Sequence, residues 1–108
     1  MKKKNTHKPK VSILIINFNN AKFIKECINS ILKQKYKNYE IIFFDDNSND
    51  NSVKVVKEFV KKNFFLIQNK EQSIHGSYNQ MNGYAKSLQK STGEIIFFLD
   101  SDDFFQQN

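Results

Sequence analysis

Four short apolar runs punctuate this chain: "VSILII" at Val11–Ile16, "YEIIFF" at Tyr39–Phe44, "FFLI" at Phe64–Ile67 and "EIIFFL" at Glu94–Leu99. Each has the length of a strand and is rich in β-branched or aromatic residues. They are nearly unbroken rather than alternating with polar residues, which is the pattern of a strand covered on both faces. Between them lie segments with helical spacing. From Ala21 to about Gln34, Ile24, Cys27, Ile28, Ile31 and Leu32 share one face, while Lys22, Lys25 and Lys33 point away. Asn19 or Asn20 is placed to cap that helix. Val53, Val56, Phe59 and Val60 mark a second helix ending near Asn63. Tyr78, Met81, Ala85 and Leu88 form the stripe of a third, with Gly93 as its stop. The order β-α-β-α-β-α-β, with short connections, predicts an α/β fold around a parallel sheet.

At 108 residues the chain is at most one domain. Its net charge of +6 suggests a polyanion partner until the charge is located. All seventeen basic residues are Lys, and five of them (Lys2, Lys3, Lys4, Lys8 and Lys10) lie in the first ten residues, which hold no acid. The basic character therefore belongs to a leader, residues 1–10, expected to be disordered, and the body from 11 to 108 is near neutral. With no Arg, bidentate guanidinium contacts to phosphate or guanine are absent, which argues against a nucleic-acid binder. No run reaches the ~20 apolar residues of a membrane span and no signal-peptide segment opens the chain, so a cytoplasmic protein is expected. The lone Cys27 rules out an internal disulfide and reads as a small core residue.

In an open doubly wound sheet, ligands bind beyond the carboxyl ends of the strands, where strand order reverses. Right-handed crossovers carry strands two and three to one side of strand one. A fourth strand on the other side would bring together Asn17-Phe18-Asn19, Asp45-Asp46 and Asp100-Ser101-Asp102-Asp103. Five carboxylates on one rim repel unless something cationic or donor-rich satisfies them. Carboxylates without His or Cys suit a hard divalent cation, Mg²⁺ or Mn²⁺, which also takes oxygen from a substrate phosphate. Asp46 and Asp102, directly after buried strands, are the functional candidates, whereas Asn47, Ser48, Asn49 and Asp50 read as loop and cap residues. A phosphoacceptor receiver domain would need acids after the first strand, where Asn17 and Asn19 stand. A dinucleotide-binding domain would need G-x-G-x-x-G there.

In combination, "KVSILIINFNNAKFIKECINSILKQKYKNYEIIFFDDNSNDNS" and "STGEIIFFLDSDD" resemble the opening of family 2 glycosyltransferases. The resemblance covers residues 10 to about 105. It implies the Rossmann-like, three-layer GT-A fold, and it rests on the order of several motifs rather than on one triplet alone. It implies that Asp46 hydrogen-bonds the nucleotide base and that Asn17, Phe18 and Asn19 pack against it. Asp100 and Asp102 match the metal-binding DxD pair, with Asp102 the direct metal ligand and Asp100 nearer the ribose. Asp103 would help through the metal's waters, and Asp45 and Asp103 both belong to the donor side. "HGSYNQMNGYAKSL" resembles the family's Gly- and Asn-containing helix, with Asn82-Gly83 in the usual region and no Arg. His75 reads as an exposed loop histidine.

The implied activity is an inverting transfer of sugar from a nucleotide-diphosphate sugar, with UDP-sugars the commonest, to an unknown acceptor in surface polysaccharide or glycoconjugate synthesis. A peripheral position at the inner face of the membrane is compatible with it. Family members continue past DxD into an acceptor pocket, further strands and the catalytic base, whereas only "FFQQN" follows Asp103. The expectation is therefore a donor-binding half, truncated after the DxD motif, with no catalytic base of its own. The competing expectation is a noncatalytic nucleotide- or metal-binding module that self-associates through the exposed edge of the fourth strand.

Overall fold

The computed structural model describes residues 8–70 and 76–105, and side chains in all of these except 76–80. Seven elements follow in the expected order: β1 (Val11–Asn17), α1 (Ala21–Leu32), β2 (Tyr39–Asp46), α2 (Ser52–Lys57), β3 (Phe64–Asn69), α3 (Gly76–Lys90) and β4 (Ile95–Asp100). The four strands form one parallel sheet in the order β3-β2-β1-β4. Strand order reverses between β1 and β4, so the fourth strand takes the side of β1 that brings the three polar segments to one switch point.

β1 and β2 lie in the middle, which explains their unbroken apolar runs. Ile13, Ile15, Ile41 and Phe43 point to one face and pack with Ile24, Cys27, Ile28 and Ile31 of α1 and Val56 of α2. The next residues in each strand point to the opposite face, where α3 crosses β1 and β2. The result is three layers, helix–sheet–helix. Register places Asn17 beside Asp45, Ile16 beside Asp100 and Asp46 beside Asn69, so the polar strand ends are level with one another.

Three local expectations are corrected. α2 ends at Lys57 rather than near Asn63. The chain tightens into turns, with Phe59 N donating to Val56 O and Val60 N to Lys57 O, and Phe59 reaches the core by stacking on Phe64 at 6.4 Å. α3 does not bury the expected stripe: Met81 is 72% and Leu88 47% exposed, while Gly83 and Ser87 are buried. Tyr78 lies among the residues whose side chains are not described. The sheet supplies the bulk at this contact through Phe44 and Ile16, so the helix must present small residues. A Cβ on Gly83 would sit 2.7 Å from Phe44 Cδ1 and 2.9 Å from Ile16 Cδ1. Nor is Gly93 a left-handed helix stop, because it has no positive φ. It is needed because the backbone entering β4 passes against Ser12 and Lys10, where a Cβ would meet Ser12 N at 2.7 Å and Lys10 O at 2.9 Å.

That entry is fixed by a buried carboxylate at the amino ends of the strands. Glu40 accepts from Ser12 Oγ at 2.6 Å and Thr92 N at 2.7 Å, and it pairs with Lys10 at 3.3 Å. At the edge of the sheet, β4 pairs only with β1 among the described residues and exposes Ile95, Phe97 and Phe98. No helix among the described residues is long and apolar enough to cross a membrane.

Candidate functional site

The carboxyl ends of β1, β2 and β4 carry Asn17, Phe18, Asn19, Asp45, Asp46 and Asp100–Asp103, whereas Asn82 and Gly83 lie on α3. β1 runs out at Asn17, and Phe18 then turns outward, exposed enough to offer a ring face to a ligand. Asn19 takes φ 52°, a left-handed conformation that asparagine tolerates better than most residues. Its backbone N–H donates to Ser48 Oγ at 2.9 Å and its side-chain oxygen accepts from Asn49 N at 2.8 Å. The loops after β1 and β2 are thereby laced together.

The cap of α1 comes from that second loop rather than from Asn19 or Asn20. Asn20 is the N-cap residue but makes no side-chain cap hydrogen bond. Asp50 accepts from Ala21 N at 3.0 Å and, with its other oxygen, from Ser52 N at 2.9 Å, so one carboxylate serves the start of both α1 and α2. Burial alone would raise the Asp50 carboxyl, but these donors and the Ser52 hydroxyl outweigh it and hold it below the ordinary aspartate range. Asp50 is a cap residue, as expected for this loop, though it caps at long range. Asn47 contributes the second left-handed turn, at φ 59°.

Asp45 and Asp46 end β2 and point in opposite directions. Asp45 is buried and accepts from Ser48 N at 2.9 Å, Ser48 Oγ at 2.7 Å and Asn17 Nδ2 at 2.8 Å. Asp46, on the other side, accepts from Asn69 Nδ2 at 2.7 Å. Asn17 therefore stands behind the rim: it is 1% exposed, and both ends of its amide are engaged.

After β4 the chain folds into a tight acidic turn. Asp103 N donates to Asp100 O at 2.9 Å, and Asp103 Oδ2 accepts from Asp100 N at 3.1 Å. Ligand oxygens of Asp100, Asp102 and Asp103 come within 4.8 Å of one another, with Asp102 and Asp103 exposed. Three convergent carboxylates are the oxygen-only donor set of a hard divalent cation, so the residues present fit Mg²⁺ or Mn²⁺. Cys27 lies behind this turn, its Sγ 3.9 Å from Asp100 O. Burial, then the charges of Asp103, Asp102 and Glu26, push its thiol up to about 12, and it is not one of the three clustered ligand groups.

Two features were not singled out from the sequence. Ser101 sits beneath the turn, 0% exposed, and donates to Asn17 Oδ1 at 2.7 Å. Alternation along β4 was the available signal, because a residue between two outward carboxylates must point inward. Ser48, a loop residue by its sequence context, bridges both loops. His75 lies outside the described residues, as do residues 1–7 of the basic leader.

The model of the family described as Glycosyl transferase family 2 matches residues 12–108. A GalNAc(5)-diNAcBac-PP-undecaprenol beta-1,3-glucosyltransferase of Campylobacter jejuni is 38% identical over 99 residues, covering 88% of this chain and 30% of the relative. The poly(ribitol-phosphate) beta-N-acetylglucosaminyltransferase TarP of Staphylococcus aureus is 37% identical over 102 residues, covering 91% and 30%. The chain thus spans under a third of the length of these curated relatives. Among solved structures, S. aureus TarS 1-349 in complex with UDP-GlcNAc superposes with a TM-score of 0.73 at 29% identity, over 88% of this chain and 27% of that one. The mannosyltransferase PcManGT of Pyrobaculum calidifontis, in complex with GDP-Man and Mn²⁺, reaches a TM-score of 0.77 over 93% and 29%. At 22% identity it bears on the fold alone.

Proposed function

This chain belongs to glycosyl transferase family 2, and we propose that residues 11–108 form the nucleotide-sugar-binding portion of a glycosyltransferase acting in polysaccharide or glycoconjugate synthesis. The observation that carries the reading is the convergence at one switch point of Asp46 with the Asp100–Asp103 turn, whose three carboxylates lie within 4.8 Å. The substrate class that fits is a nucleoside-diphosphate sugar, and UDP-sugars are favoured because a related structure holds UDP-GlcNAc.

In this reading Phe18 stacks on the base, Asn19 shapes the turn beside it and Asp46 accepts a hydrogen bond from a base N–H. Asp100 accepts from the ribose hydroxyls, while Asp102, with Asp100, holds a Mn²⁺ or Mg²⁺ ion and Asp103 orients its waters. The ion, when bound, neutralises charge on the diphosphate leaving group as a Lewis acid. The rim carboxylates are all assigned to the donor side. The base that would deprotonate the acceptor hydroxyl is assigned to none of these residues.

The test is a ¹⁵N-resolved titration of the chain with UDP, GDP and TDP in the presence of Mg²⁺. The reading predicts that one of them shifts the amides of Phe18, Asn19, Asp46 and Ser101–Asp103 together. Shifts confined to another part of the fold, or none with any of the three, would overturn it.

A further inference from the structure

The polar rim stands on a second layer of side chains, and one residue joins its two halves. Asn17 Nδ2 donates to Asp45 Oδ1 at 2.8 Å and to Ser48 Oγ at 3.2 Å, on the loop that follows Asp46. Asn17 Oδ1 accepts from Ser101 Oγ at 2.7 Å, inside the acidic turn. The amide's nitrogen faces the oxygens of Asp45 and Ser48, and its oxygen faces the Ser101 hydroxyl, so each end of the amide meets the partner its chemistry suits. Ser101 is held from a third side by Asn20 Nδ2 at 3.2 Å and through its own N–H to Ile16 O at 3.0 Å.

Asn17, Asp45 and Ser101 are each no more than 1% exposed. Their hydrogen bonds are therefore shielded from water and hold their geometry. A carboxamide suits this position because it offers donors at one end and an acceptor at the other. Aspartate there would set a second carboxylate against Asp45, and alanine would leave Ser101 and Asp45 each short of a partner.

We propose that Asn17 is a positioning residue whose amide locks the acidic turn to the loop after β2, fixing Asp100 and Asp102 relative to Asp46. The proposal rests on the reading of that turn as the metal site. It adds that the metal's affinity is set partly by residues that never touch the metal. Partners behind a metal's ligands commonly change its affinity roughly 10- to 100-fold.

The probe is Mn²⁺ alone, titrated into the full chain and followed by the electron paramagnetic resonance of the free ion. Asn17→Ala and Ser101→Ala should each weaken Mn²⁺ binding by roughly 10-fold or more. The double variant should be no weaker than the weaker single, since both break one lock. Binding within twofold of wild type in a folded Asn17→Ala chain would overturn the proposal, as would losses that multiply in the double variant. Should Asn17→Ala fail to fold, Ser101→Ala decides alone, because it removes a single hydroxyl. An Asp102→Ala chain that takes up Mn²⁺ as wild type does would sink the metal reading separately. The lock is then decided without metal: Ser101→Ala shifting the amide resonances of Ser48 and Asn19 supports it, and leaving them unmoved overturns it.

Discussion

Replacing Gly93 by alanine should unfold the junction between α3 and β4, and the contacts around Gly93 set the size of the loss. The new Cβ would lie 2.5 Å from Ser12 Oγ, 2.7 Å from Ser12 N and 2.9 Å from Lys10 O. Two of those atoms are backbone, Ser12 N within the paired strand β1 and Lys10 O accepting from Glu94 N and Ile95 N, so they cannot swing aside as a side-chain end would. Overpacking costs about 1–3 kcal/mol. Separating the strands also weakens the hydrogen bonds from Gly93 N to Ser12 Oγ at 2.8 Å and from Glu94 N to Lys10 O at 2.8 Å. At about 1 kcal/mol each, the total is about 3–5 kcal/mol.

Gly83→Ala is the internal control. Its Cβ meets only side-chain atoms of Phe44 and Ile16, and alanine recovers about 1 kcal/mol of helix propensity, leaving a net cost of about 0–2 kcal/mol. Urea denaturation followed by far-ultraviolet circular dichroism separates the two cases. For a domain of this size the Gly93 variant should also melt at least about 12 °C lower. A Gly93→Ala chain within about 1 kcal/mol of wild type would refute the reasoning, as would a Gly83→Ala chain that is the less stable of the two.

Glu40 makes stability depend on acid. Burial alone would raise its carboxyl, but the hydrogen bonds from Ser12 and Thr92 and the ammonium of Lys10 outweigh it and hold it below the ordinary glutamate range. A carboxyl depressed in the folded state stabilises above its unfolded value, and that contribution fades as pH falls through the folded one. Wild type should therefore lose stability below about pH 4.3 more steeply than Glu40→Gln, and parallel urea midpoints down to pH 3 would contradict this. Cys27, with its thiol pushed up to about 12 and no exposed surface, should resist iodoacetamide at pH 8 in the folded chain and react promptly in urea. Labelling of the native chain at the rate seen in urea would exclude that burial. The open edge of β4, flanked by exposed Phe97 and Phe98, should make the 108-residue chain self-associate in sedimentation, and Phe97→Lys with Phe98→Lys should disperse it. A wild-type chain that sediments as a monomer at high concentration would remove the prediction.

The sheet and its switch point were legible because parallel strands buried on both faces leave unbroken apolar runs, as in Val11–Ile16 and Tyr39–Phe44. Their polar ends marked the rim directly. What local pattern could not show is which partner supplies the volume at a contact. α3 turns Gly83 and Ser87 to the sheet because Phe44 and Ile16 already fill that space, so the apolar residues Met81 and Leu88 face away. Long-range partners were hidden for the same reason. Asp50 caps a helix that begins 29 residues earlier, Gly93 is small because of Ser12, and Asn17 meets Ser101 across 84 residues of chain. In each case the residue type was visible and the neighbour that explains it was not.

A metal-dependent nucleotide site on the Asp46 and Asp100–Asp103 rim can be tested by calorimetric titration of UDP with and without Mn²⁺, in wild type and Asp102→Ala. Heat of binding should require Mn²⁺ and disappear in Asp102→Ala while the variant's circular dichroism is unchanged. Binding of UDP that is indifferent to both the metal and Asp102 would contradict it.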